Sequence, residues 1–145
     1  MWKVGENTYV NIVEAVPATV YKNEILNLTE SKTEYTAKVG LMYVSDYGFA
    51  ADPSAWTRKL EVDSGNGYGN NIVKAVNWIY MGLSEWTITR KSDENYIVFH
   101  LPDGGNLNFN NTDGAFAIRP TFYLLPSVTY SIGTGTQSNP IRVEV

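Results

Sequence analysis

The hydrophobic pattern is strongest near the C-terminus, where residues 115–125 (Ala-Phe-Ala-Ile-Arg-Pro-Thr-Phe-Tyr-Leu-Leu) form the longest apolar and aromatic run of the chain. Apolar side chains occupy both faces of a strand built from this run, so the pattern predicts a central strand that is buried on two sides. Pro120 has no backbone N–H to donate, and we therefore expect a bulge or bend at that residue.

Arg119 is the one cation inside this run. A buried guanidinium must be paired or hydrogen-bonded, and the candidate partners are Asp46, Glu85 and Asp113. Structurally, Arg119 would clamp neighbouring loops together. Functionally, it could bind the carboxylate of a ligand, and the structural role is the preferred one.

The rest of the chain shows short strand patterns. Residues 36–45 predict a strand that ends in a turn at 45–48. Residues 85–89 and 96–101 predict two strands, and a turn at 102–105 leads from the second into 106–109, which completes a hairpin. Further strands are predicted at 127–132 and at 141–145, where clean alternation indicates one inward face.

Helix signals are few. Asp52 followed by Pro53 is typical of a helix N-terminus, and Asn70 or Asn71 can cap a short amphipathic helix that ends near Tyr80. The segment 63–71 is rich in glycine and asparagine and is predicted to be a loop. With no repeat and no strand–helix alternation, the sequence predicts a single α+β domain over residues 1–145.

Composition excludes several partners. The net charge is −4 and the eleven Lys and Arg residues are scattered, whereas nucleic-acid binding requires a basic cluster. No apolar run approaches the roughly 20 residues of a membrane span, so membrane insertion is not expected. Aromatic residues make up 13% of the chain, with ten tyrosines and four tryptophans, which suits a β-rich core or a recognition surface.

The sequence offers little for catalysis or for a cofactor. It has no cysteine and one histidine, His100, which excludes disulfides and cysteine-based metal sites. The aspartates lie mostly in turn-like surroundings, which favours turn chemistry over a catalytic carboxylate pair. The loop 63–70 lacks the acidic spacing of a calcium loop, and its glycines do not have the spacing of a phosphate-binding loop. We therefore predict no catalytic residue, metal or cofactor.

Seven blocks of the sequence together carry a resemblance, and they lie at residues 39–50, 77–78, 85–88, 98–100, 103–105, 118–124 and 133–140. The most specific are Gly-Leu-Met-Tyr-Val-Ser-Asp-Tyr-Gly at 40–48 and Arg-Pro-Thr-Phe-Tyr-Leu at 119–124. In this order the blocks resemble an uncharacterised group of Firmicutes surface proteins that also occur in phage and prophage contexts. The domains of that group are similar to the C-type-lectin-like fold of formylglycine-generating enzymes. The copper-binding cysteine pair of those enzymes is missing here, so their activity is not carried over.

This resemblance implies a non-catalytic binding or adhesion module outside the cell or on its surface, which recognises a carbohydrate or a protein through loops on a rigid scaffold. The loops are 47–56, 63–71 and 102–111. The candidate ligand-binding residues are Tyr47, Trp56, Tyr68, Asn70, Asn106, Asn108 and Asn110. The candidate structural residues are Arg119, Trp78 and Trp86.

Relatives in this group usually carry further sequence before the block that Trp2 matches, and we expect this chain to be trimmed at its N-terminus. The terminal strand, from Ile141 to Val145, would then present an open edge that invites strand addition from another subunit. The alternative function is therefore a structural subunit of a surface filament or virion, assembled by strand addition.

Overall fold

The computed structural model describes residues 2–5, 7–8, 12–26, 33–63, 65–134 and 138–144. Helices are short: α1 is Pro17–Tyr21 and continues into a π-helical turn at Lys22–Leu26, α2 is Val44–Phe49, a 3-10 turn spans Pro53–Ala55, and α3 is Asn71–Val76. The strands are β1 Trp2–Val4, β2 Thr33–Tyr35, β3 Gly40–Leu41, β4 Glu85–Arg90, β5 Ile97–Leu101, β6 Asn108–Asn111, β7 Pro120–Thr121, β8 Thr129–Ile132 and β9 Arg142–Glu144.

These strands form four small antiparallel sheets among the described residues. β4, β5 and β6 make a three-stranded meander, while β1 pairs with β2, β3 with β7, and β8 with β9. The mixture of short helices and antiparallel sheets confirms the α+β class. The predicted hairpin is confirmed too, and its turn is closed by the Gly105 N–H, which donates to the Pro102 carbonyl at 2.9 Å.

Strand β4 buries polar rather than apolar side chains. Glu85, Thr87 and Thr89 point inward, and each has a partner. Thr87 donates to the Phe99 carbonyl at 2.7 Å, Glu85 binds Arg119, and Thr89 donates to Glu24. These bonds make the burial tolerable, since a buried polar group without a partner destabilises the fold.

The core lies between α2, α3 and the inner face of the meander. Its largest fully buried side chains include Tyr47, Tyr68 and Phe99. A second, smaller cluster joins Trp2 and Tyr43 near the N-terminus. The N-terminal caps of the two predicted helices are confirmed: Asp52 accepts a hydrogen bond from the Ser54 N–H, and Asn70 accepts one from the Ile72 N–H. The predicted end of the second helix near Tyr80 is wrong, because α3 ends at Val76.

The predicted strand at 36–45 and the turn at 45–48 are wrong in large part. Only Gly40–Leu41 is extended, and the helix α2 begins at Val44. The N-cap residue is Tyr43, which is not a good capping residue by type. Glu24 supplies the missing cap from 20 residues upstream, since its carboxylate accepts from the N–H groups of Val44 and Ser45, both at 3.1 Å.

The prediction of a two-sided buried strand at 115–125 is wrong. Apart from β7, which pairs with β3, and Ala117, which forms a bridge with Glu85, the run is irregular. Its large side chains from Ile118 onward lie mostly in solvent. Pro120 begins β7, a position that a proline tolerates because it need not donate there.

The described residues 118–134 and 138–144 are called the C-terminal arm below. Its hairpin, β8 with β9, has a register shift between Tyr130 and Ile132. All four residues of β8 are exposed, and so are Ile141 and Val143. The expected inward face of the terminal strand is therefore wrong, because that hairpin does not lie on the core.

Candidate functional site

An open groove of about 520 Å³ runs along helix α2, and we call it the α2 groove. Its floor is α2 with the residues that flank it, through Met42, Ser45, Asp46, Phe49 and Ala50. One wall is the turn that bears Trp78 and Ile79, and the other comes from the start of the C-terminal arm and from α1. The residues of that second wall are Tyr21, Arg119, Thr121 and Tyr123. The volume lies within the range of small-molecule sites, roughly 300–1,000 Å³.

Trp78 presents its indole to solvent from a fixed backbone. Its side chain is 80% exposed, yet its N–H donates to the Ala50 carbonyl at the end of α2 at 3.3 Å. The preceding residue, Asn77, is buried, and its side-chain amide donates to the Tyr47 carbonyl at 3.0 Å. The Asn77 side-chain oxygen accepts from the Ile79 N–H at 3.2 Å. The turn is thus held on both sides, and the indole is displayed at the groove wall with little backbone freedom.

An ion pair fixes the opposite wall. Arg119 donates from Nε and Nη2 to the two carboxylate oxygens of Glu85, at 2.8 and 2.7 Å. This two-point geometry is the strong form of the arginine–carboxylate pair. Glu85 was one of the three candidate partners, and neither Asp46 nor Asp113 takes that place.

Asp46 places a half-buried carboxylate on the groove floor. One of its oxygens accepts from the Tyr43 N–H at 2.9 Å and from the Tyr123 hydroxyl at 3.4 Å. Burial raises the pKa of Asp46 above its usual value, and the two hydrogen bonds oppose that rise. The lining of the groove thus combines a polar acceptor with the aromatic side chains of Trp78 and Tyr123.

Beneath the floor, Glu24 is fully buried in the π-helical turn. Burial raises the pKa of this carboxyl from 4.5 to about 7, and hydrogen bonds from Ser45, Thr89 and Val44 only partly offset the effect. Glu24 therefore joins three elements, because it binds the start of α2 and the strand β4 from its own turn.

Two predicted ligand-binding residues lie in the core instead. Tyr47 and Tyr68 are 1% and 0% exposed, and their hydroxyls donate to the carbonyls of Gly105 at 2.7 Å and Gly48 at 2.6 Å. The expectation that they lie on loop surfaces is wrong. Tyr47 belongs to α2. Tyr68 belongs to the glycine-rich segment 63–71, but its side chain packs in the core.

The other predicted ligand-binding residues are spread over the surface and are not brought together by the groove. Trp56 packs edge-on against Phe49, which lines the groove, and its indole N–H donates to the Ala51 carbonyl. Asn70 caps α3, and Asn106 donates to the Glu61 carbonyl at 3.1 Å. Asn108 and Asn110 are exposed on β6.

Of the three predicted structural residues, two make internal contacts and one is exposed. Trp86 is half-buried and packs on Phe116 at 4.7 Å and on His100 at 5.9 Å between ring centroids. Arg119 forms the ion pair with Glu85. Trp78 is not structural in this sense, because its indole is in solvent.

Sequence reasoning missed the groove because its residues come from four separate segments. The sequence pattern placed Trp78 inside a helix that was expected to end near Tyr80, whereas α3 ends at Val76 and Trp78 lies in the turn after it. Within the described residues, no three His, Asp or Glu side chains form a group that could bind a metal ion. None of the helices in that part of the chain has the length and apolar character that a membrane span requires.

Comparison of the chain with protein-family models, with curated proteins and with solved structures found no match.

Proposed function

We propose that this protein is a non-catalytic binding module that takes a carbohydrate in the α2 groove. The observation that carries the proposal is the exposed Trp78 indole on a hydrogen-bonded turn, in a groove whose lining also contains Tyr123 and the Asp46 carboxylate. An exposed indole gives the apolar face of a sugar ring a flat surface to pack on. A carboxylate and tyrosine hydroxyls can bond the sugar hydroxyls around it.

The charges of the groove also favour a neutral ligand. Arg119 is already paired with Glu85 through both carboxylate oxygens, so the net charge that it offers to an anionic ligand is small. Asp46 adds an acceptor rather than a donor when it is ionised. A ligand rich in hydroxyl donors therefore suits the groove better than a carboxylate or phosphate.

The C-type-lectin-like fold and the surface-protein group remain part of this proposal. They are supported by the sequence blocks at 40–48 and 119–124 and by the α+β architecture with irregular strands. They lose the support that a buried strand at 115–125 would have given. An extracellular or cell-surface location follows from the same resemblance.

A glycan array followed by calorimetric titration tests the proposal. We expect saturable binding of a glycan to the wild type, and a Kd at least about tenfold weaker for Trp78→Ala, since buried aromatic contacts dominate most binding sites. Tyr96→Ala is the matched control, because Tyr96 is also an exposed aromatic but does not line the groove. Asp46→Asn keeps the acceptor oxygen and separates loss of charge from loss of shape.

Two results would overturn the proposal. One is glycan binding that Trp78→Ala leaves unchanged, which would place the site elsewhere. The other is the absence of any glycan ligand together with saturable binding of a protein epitope that the same variant weakens, which would assign the groove to protein recognition.

A further inference from the structure

The C-terminal arm exposes many large apolar side chains along a short stretch of chain. Nine of its large apolar side chains are exposed, among them Ile118, Phe122, Leu125, Tyr130 and Ile132. Aromatic residues bury about 150–250 Å² each when covered and the aliphatic ones somewhat less, so the exposed fractions of the nine sum to roughly 1,000 Å². A standard interface takes about 800 Å² from each partner, and the arm has enough surface for one.

The hairpin of the arm also has strand edges that no other described strand pairs with. In the described part of the chain, β8 and β9 form a sheet of two strands, so each strand pairs along one edge. Successive residues of a strand direct their N–H and C=O groups to opposite edges, so the groups of β9 that do not face β8 lie on its other edge, where strand addition can use them.

The sequence of β9 suits a second copy of the same strand. It reads Arg142-Val143-Glu144. An antiparallel pair centred on Val143 places residue 142 of one copy opposite residue 144 of the other, and the two-fold symmetry repeats that pairing on the other side. Residue 142 is an arginine and residue 144 a glutamate, so each of the two pairings joins residues of opposite charge, and such cross-strand pairs stabilise a sheet.

We propose that the C-terminal arm is a homodimer interface in which β9 pairs antiparallel with β9 of a second copy about Val143, while the apolar side chains of the two arms cover each other. The dimer does not depend on glycan binding in the α2 groove. It gives the strand-addition idea a defined partner and a defined register.

Sedimentation velocity over a dilution series of the full chain tests the interface. We expect the wild type to pass from dimer to monomer on dilution, and Ile132→Thr to dissociate at a concentration at least about tenfold higher. Ile72→Thr is the matched control, because Ile72 is exposed on α3, outside the arm. Circular dichroism checks that the variants remain folded. A wild type that is monomeric at every concentration overturns the proposal, and so does an equal effect of the two substitutions.

A charge exchange tests the register. Arg142→Glu alone and Glu144→Arg alone each place like charges across the pair, and each should weaken the dimer about tenfold, since two pairs change at once. The double variant Arg142→Glu/Glu144→Arg restores both opposite-charge pairs and should return the dissociation constant to within about threefold of the wild type. Failure of the double variant to recover overturns the proposed pairing about Val143.

Discussion

The described part of residues 2–117, which we call the body, differs from the C-terminal arm in the side chains that its strands bury. In the body, β4 buries Glu85, Thr87 and Thr89, and each finds a hydrogen-bond partner. In the arm, β8 leaves Tyr130 and Ile132 in solvent. A strand is therefore not assigned to the interior by its apolar content alone. What decides is whether other elements cover it and satisfy its polar groups.

A matched pair of substitutions measures this contrast most directly. Phe99 in β5 is fully buried, whereas Phe122 in the arm is 63% exposed. We expect Phe99→Ala to lower the free energy of unfolding by about 4 kcal/mol through the cavity it leaves. Phe122→Ala should lower it by less than about 0.5 kcal/mol. Urea denaturation of dilute protein gives both values, and equal losses would show that the arm is packed in the monomer.

The ion pair between body and arm should give the next largest effect. Glu85 is 2% exposed, so Arg119→Ala leaves a buried carboxylate without its partner. We expect a loss of about 3 kcal/mol in the free energy of unfolding. The double variant Glu85→Gln/Arg119→Met removes both charges and should recover most of that loss. A loss below about 1 kcal/mol for Arg119→Ala would show that the pair behaves like an exposed one.

Glu24 should make the stability of the body depend on pH. Its pKa is 4.5 when unfolded and about 7 when folded, so the folded protein keeps a proton that the unfolded chain has released. The stability contributed by this group therefore falls as pH rises through that window, by about 2 kcal/mol between about pH 5 and 7, and levels off above it.

The measurement is the difference in free energy of unfolding between wild type and Glu24→Gln as a function of pH. His100 is present in both proteins, and its pKa is lowered by burial, so its opposite contribution cancels in the difference. A difference that stays flat from about pH 5 to 7 would show that Glu24 titrates as in the unfolded chain.

The parts of the fold that could be predicted from the sequence are those with local signals. The turn before β6, the Asn70 cap of α3 and the Asp52-Pro53 helix start each depend on residues that are adjacent in the chain. Helix α2 was missed because the group that caps it, Glu24, lies 20 residues away in sequence. No local pattern reports such a contact.

The arm and the groove were missed for related reasons. A hydrophobic run predicts that a segment is buried. It does not distinguish burial in the core of a chain from burial in an interface between chains. The run at 115–125 was therefore read as an interior strand. The groove combines Trp78, Asp46 and Tyr123 from segments that only the tertiary fold brings together. The sequence alone could identify the residue types of a binding surface but not their neighbours.

The register shift in the outer hairpin bears on how far an assembly can grow. The hydrogen-bond ladder of β8 is interrupted between Tyr130 and Ile132. Such a bulge twists the edge of a strand and hinders its pairing with a strand of another chain. An incoming chain therefore finds a continuous template along β9 but an uneven one along β8. The proposed pairing through β9 therefore predicts a closed dimer rather than stacking of copy upon copy into a fibre.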